Sequence, residues 1–143
     1  LADESFELRQ TIEIEASPEL VYRFLTEKEL LERWHCIDAE IDARPGGAFR
    51  FDITGVDVTR GEIVEMEPPK RLVMTWGFDE PGVTTLEFTL FETETGTRLE
   101  LRHHGFGSED DRDGHGRGWT HYLGRLQGTA EGRDPGPDSW RKV

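Results

Sequence analysis

The stretch GEIVEMEPPKRLVMTW, residues 61–76, decides how the rest of the chain is read. Its first half ends a strand that begins near Val56, with Gly61 as a predicted bulge. Pro68 and Pro69 stop that strand, because neither offers an N–H to a ladder. A new strand follows at once, with Leu72, Met74 and Trp76 on one face and Val73 and Thr75 on the other. Strand, break, strand is the pattern of an antiparallel sheet, and it continues in both directions.

Downstream, VTTLEFTLFE (83–92) and TRLELRHH (97–104) are two more strands joined around Gly96. Alternation places His103 on the face of Leu99 and Leu101, so it points inward, while His104 points out. Upstream, CIDAEID (36–42) leads through the turn ARPGG into AFRFDI (48–53), which sets Phe49, Phe51 and Ile53 on one face. Before these strands the pattern changes to helix. Ser17 is an N-cap and Pro18 fits the first helical position. Val21, Phe24 and Leu25 give that helix its inner face. Thr26-Glu27-Lys28-Glu29 reads as a capping box that starts a second short helix ending near Trp34, with Leu25 and Leu30 as its hydrophobic staple. FELRQTIEIE (6–15) alternates cleanly and is the first strand.

The final element begins near Ser108. Trp119, Leu123 and Leu126 form one helical stripe, and the helix ends by Gly132. Its front end, SEDDRDGHGRGW (108–119), has the opening spacing of a calcium loop at Glu109, Asp111, Asp113 and Gly114. A calcium loop needs a bidentate carboxylate at its twelfth position, which here is Thr120. The stretch therefore reads as an acidic first turn behind a Ser108 cap, where the helix dipole favours negative charge. Gly114, Gly116 and Gly118 weaken this half by about 1 kcal/mol each, so residues 108–118 are expected to open more readily than 119–130. Residues 1–132 are expected to form one domain, followed by a tail at 133–143 that has neither helix nor strand character.

The 143 residues carry a formal net charge of −13, which argues against nucleic acid and against anionic membranes as partners. No apolar run is long enough to span a bilayer, and LADESFELRQ has no signal-peptide character. With Cys36 as the single cysteine, the expected location is the cytoplasm. The five histidines do not have the tight spacing of a metal site, and no metal or cofactor is expected. Cys36 follows His35, but neighbours diverge and an inert buried thiol is the simpler reading. No G-x-S-x-G, phosphate loop or H-E-x-x-H occurs, so no catalytic residue is assigned.

Strands that bury one face need a cover, and the last helix is the only large element left to supply it. The space between a curved sheet and one helix suits a small molecule. Trp34, Phe51, Trp76, Phe88 and His103 are the candidate walls, with Trp119 and Tyr122 from the helix. Their mix of apolar rings and a few polar points suits an amphipathic ligand. Trp140 lies in the tail and is set aside.

The chain to about Gly132 resembles the START-related helix-grip (SRPBCC) superfamily. Within it, the chain resembles the single-domain branch named for activators of a heat-shock chaperone ATPase (AHSA-like). Four stretches carry the resemblance: ASPELVYRFLTEKELLERW, RPGGAFRFDI, GEIVEMEPPKRLVMTW, and TRLELRHHGF with the later Gly118-Trp119. It implies an α+β helix-grip fold: a curved antiparallel sheet of about six to seven strands round a long C-terminal helix, with two short helices after the first strand. It also implies three kinds of function. The first is a binding module for a small hydrophobic or amphipathic molecule. The second is a protein-interaction domain with a chaperone or homodimer partner. The third is a cyclase-like enzyme, for which the inward-facing His103, a candidate from strand parity and not from the resemblance, would be the acid/base.

Overall fold

The computed structural model describes residues 6–78 and 83–143. Leu1–Ser5, the start of the stretch read as lacking signal character, lie outside them. Strand β1 (Phe6–Ile14) is followed by helices α1 (Pro18–Thr26) and α2 (Lys28–Trp34). Six strands come next: β2 (Asp38–Ile41), β3 (Ala48–Asp52), β4 (Val58–Glu67), β5 (Arg71–Trp76), β6 (Thr84–Glu92) and β7 (Thr97–Phe106). Helix α3 (Glu109–Ala130) closes the order. The strands form one antiparallel sheet, β1-β7-β6-β5-β4-β3-β2. From β2 to β7 it is a meander, and β1 joins the far edge beside β7, with Ile12 opposite Leu99 and Leu8 opposite His103. The two short helices carry the chain from one edge of the sheet to the other. The α+β helix-grip architecture is thus present.

Each element forms for a local reason. Ser17 Oγ accepts the Leu20 N–H at 3.2 Å, Pro18 occupies the first turn, and Val21, Phe24 and Leu25 are buried. Ser108 Oγ accepts the Asp111 N–H at 3.1 Å, with Glu109, Asp110 and Asp111 in the first turn of α3. The capping box at Thr26 does not form. Thr26 is the last residue of α1, and its hydroxyl donates back to Tyr22 O at 3.0 Å. Glu27 caps α2 without a side-chain bond and pairs instead with Arg23 at 2.8 Å. The two helices are held together by Trp34 Nε1, which donates to Phe24 O at 2.9 Å.

The bulge in β4 also differs from expectation. Register is lost between Ile63 and Glu65, so Val64 is the extra residue and lies exposed. Gly61 stays in register opposite Phe49. It is glycine because β5 approaches closely: a Cβ there would sit 2.2 Å from Thr75 O.

The core lies between the inner sheet face and the three helices, and it includes Val21, Leu72, Leu86, Leu99 and Leu126, all fully buried. Helix α3 contributes unevenly. All its buried residues, Trp119, Tyr122, Leu123, Leu126, Thr129 and Ala130, lie in its second half. After α3 the chain has no helix or strand, yet it folds back over the domain. The Lys142 N–H donates to Thr54 O at 2.7 Å, and Lys142 Nζ pairs with Asp57 at 2.8 Å.

Two predictions follow from the glycines. Gly61→Ala lowers stability by about 1–3 kcal/mol through the clash with β5. Gly124→Ala, where a Cβ meets nothing within 4 Å, raises it by about 1 kcal/mol. Urea unfolding of both variants checks the pair. In hydrogen exchange, residues 109–118 exchange faster than 119–130, and equal protection would refute an opening front half.

Candidate functional site

The site starts from one residue at a helix end. His35 caps α2 and is 4% exposed. Aromatic rings surround it. Trp34 stacks on it at 4.9 Å and Trp119 at 5.6 Å. Phe51 and Tyr122 meet it edge-on at 5.7 and 5.2 Å, and Trp76 lies tilted at 5.7 Å. Five of the seven candidate wall residues therefore converge, and they converge on a histidine that the sequence reading considered only as a neighbour of Cys36. No periodicity marks it, because it lies in the link between a helix and a strand, where facing is set by the fold.

A pocket of about 350 Å³ opens beside this cluster. His35, Trp76, Trp119 and Tyr122 form its inner wall. Ile53, Thr54 and Asp57 border it from the β3–β4 hairpin, and Phe78 borders it from beyond β5. Gly114 and Gly118 line it from the front half of α3, together with Asp110, Asp111 and His115. Trp140 and Lys142 of the tail complete the rim. The glycines create the room: a Cβ at Gly118 would touch the Trp140 ring at 3.8 Å.

The tail is fixed by polar contacts. Asp138 accepts from Tyr122 Oη and from His121 Nε2, both at 2.7 Å, and from the Trp140 N–H at 2.9 Å. Burial raises the pKa of its carboxyl, but these hydrogen bonds outweigh burial and leave it below the ordinary value. Burial raises the Tyr122 phenol, and donation to Asp138 raises it further. Trp140 stacks on His121 at 4.6 Å, nearly parallel. The residue set aside in the sequence is thus part of the rim.

The remaining wall candidates divide differently. Trp34, Phe51, Phe88 and His103 are buried and do not line this pocket. His103 has no exposed surface. Its Nδ1 accepts from Trp119 Nε1 at 3.0 Å and its Nε2 lies 2.8 Å from Thr84 Oγ1. Burial holds its pKa down at about 2, so it stays neutral. Both nitrogens are engaged, and among the described residues His103 lines neither the aromatic pocket nor its neighbour. Cys36 is buried too, and burial pushes its thiol up, away from a reactive thiolate.

His35 is the opposite case. Burial lowers its pKa to about 3. Its Nδ1 is buried without a hydrogen-bond partner, and so is Trp76 Nε1. Both residues line the pocket. A buried polar atom without a partner costs about 1–3 kcal/mol, and two such atoms belong to residues that line this one pocket.

Comparison with known proteins places this geometry in a family. The family model for activator of Hsp90 ATPase homolog 1-like protein matches residues 15–131. The human activator of 90 kDa heat shock protein ATPase homolog 1 is 28% identical over 110 residues, which are 75% of this chain and 31% of the human protein. The chain thus spans about a third of the length of that relative. An AHSA1-like protein of Rhizobium etli is 39% identical, with a TM-score of 0.78 over 98% of this chain and 91% of its own. The Aha1 dimer of Colwellia psychrerythraea shares the fold at 24% identity, with a TM-score of 0.78 over 88% of this chain and 96% of its own.

The two buried histidines predict an acid-sensitive fold. Each stays neutral when folded but takes a proton below about 6.5 when unfolded. Their contribution is complete above that pH and is lost as pH falls toward the folded values, by about 1.4 kcal/mol per pH unit for each. His103→Gln removes about that much slope from stability measured by urea unfolding between pH 4.5 and 6. An unchanged slope would show that His103 is not held neutral.

Proposed function

The chain belongs to the family of activator of Hsp90 ATPase homolog 1-like proteins, and within that family we propose that it is a small-molecule binding module. The ligand sits in the pocket between the glycine-rich half of α3, the β3–β4 hairpin and the tail. The observation that carries this reading is the pair of unpartnered buried nitrogens, His35 Nδ1 and Trp76 Nε1, beside an apolar wall. Both nitrogens are covered in the free protein, so a ligand reaches them when the ring turns toward the pocket, and Trp76 Nε1 then donates to an acceptor on the ligand. His35, neutral, offers Nδ1 as donor or acceptor according to its tautomer. Trp119 and Tyr122 supply the apolar face, so the ligand is hydrophobic or amphipathic. Trp34, Phe51, Phe88 and His103 act from behind this wall by fixing the rings that touch the ligand. A single buried cysteine suits action in the reducing cytoplasm.

A second reading is a protein-interaction role. What favours it is the human relative named as an activator of a heat-shock protein ATPase, together with an acidic surface on a chain of net charge −13. Here the outer surface, not the pocket, would meet a chaperone or a second copy. No helix among the described residues is long and apolar enough to cross a membrane, and a membrane partner forms no part of either reading.

Native mass spectrometry of protein purified without solvent stripping tests the first reading. A small molecule is retained by the unsubstituted chain and lost from Gly114→Leu, whose side chain fills the pocket. His35→Phe removes an unpartnered buried nitrogen, so it raises the stability of the free protein by about 1 kcal/mol while weakening retention. Equal retention by Gly114→Leu would sink the pocket reading. Stimulation of chaperone ATPase turnover that survives Gly114→Leu would favour the second.

A further inference from the structure

On the other side of His35 lies a second concavity of about 550 Å³. It lies between the end of α2, the middle of α3 and the tail, and His35 and Ile53 line both it and the aromatic pocket. Its charge runs against that of the protein. Arg33, Arg125, Arg133 and Arg141 all border it, in a chain whose formal net charge is −13. Glu32, Asp134 and Asp138 border it too, so the lining is positive by one formal charge, and each of the three carboxylates has its own hydrogen-bond partners. Glu32 takes Lys28 Nζ at 2.7 Å and the Ala39 N–H at 2.9 Å. Asp134 takes the Gly136 N–H at 2.9 Å. Asp138 is held by Tyr122, His121 and the Trp140 N–H.

The arginines are less committed. Arg133 pairs with Glu131 at 2.7 Å. Among the described residues, no carboxylate pairs with Arg33, Arg125 or Arg141. Arg125 is half-buried. Its Nε donates to Trp34 O at 3.1 Å, and one terminal nitrogen donates to Pro135 O at 3.4 Å and Gly136 O at 3.1 Å. Those neutral carbonyls orient the guanidinium without balancing its charge. Its other terminal nitrogen, Nη2, has no partner among the described residues and is left to give one charge-assisted hydrogen bond to a carboxylate oxygen. His35, whose Nδ1 is buried without a partner among the described residues, lines both pockets.

We infer that this arginine-lined pocket holds the anionic group of the ligand, a carboxylate carried on an apolar body that lies in the aromatic pocket. The inference rests on the binding-module reading above and adds the ligand's chemical class. The tail then serves the site directly, because it brings Arg141 to one pocket and Trp140 to the other.

The test compares octanoate, octanol and acetate by tryptophan fluorescence and by the Trp76 indole resonance. Octanol and octanoate both shift Trp76, and octanoate binds about tenfold tighter, the scale of one charge-assisted hydrogen bond. Arg125→Gln brings octanoate down to the level of octanol and leaves octanol unchanged, and the double variant Arg33→Gln/Arg141→Gln, at exposed positions without ion pairs among the described residues, lowers octanoate part of the way; octanoate binding that neither variant lowers overturns the anionic subsite. If octanol binds and octanoate is no tighter, the anionic subsite is overturned while the aromatic pocket stands. If acetate binds as tightly as octanoate without shifting Trp76, the arginines hold a free anion and the linked ligand is overturned. If neither long-chain probe shifts Trp76, the binding-module reading fails and this inference fails with it.

Discussion

One long helix, with two short ones beside it, must cover the inner face of a seven-stranded sheet, and that long helix is strong along only half its length. The second half of α3 carries Trp119, Leu123 and Leu126 into the core. The first half carries Gly114, Gly116 and Gly118 and none of the helix's buried residues. Where side chains are present the sheet and helix pack solid. Where they are missing a pocket remains. The position of the pocket therefore follows from an uneven distribution of side-chain volume along one helix.

The two inner histidines show how burial alone leaves a function undecided. His103 and His35 are both buried and both kept neutral by desolvation. His103 has Trp119 and Thr84 at its nitrogens and serves as a polar pin inside the core. His35 has ring faces and edges around it but no partner for Nδ1. A satisfied polar group fixes a fold, whereas an unsatisfied one beside a cavity leaves hydrogen-bonding capacity for something else. The tail adds to this arrangement through Asp138, which lines the arginine-rich pocket and accepts from His121 and from Tyr122, a residue of the apolar pocket.

Much of the fold was legible because it rests on local rules. Alternation placed Leu99, Leu101 and His103 on the inner face, and the structure buries all three. Ser17 and Ser108 were readable as caps because capping needs only a hydroxyl and the backbone three residues on. Two local readings failed for reasons outside their own segment. Thr26 bonds back into α1 because that helix runs one residue further than the box requires, through Thr26 itself. Gly61 answers to the close approach of Thr75 from the next strand.

What the sequence determined by itself was the order of elements, the inner face of the cleanly alternating strands, and a family resemblance. The first two depend on periodicity, caps and turn residues, which act over a few positions, and the third on four stretches that resemble the family. Only the tertiary structure decided which inner residues meet. Trp34, Trp76 and Trp119 come from three elements far apart in the chain, and their distances follow from the path of the sheet and the seat of α3. So it was the fold that put His35 at the hub, withdrew His103 into the core, and brought Trp140 and Arg141 from the tail to the two pockets. Parity assigns a side chain to a face, but the position of that face against another is set by packing across the whole domain.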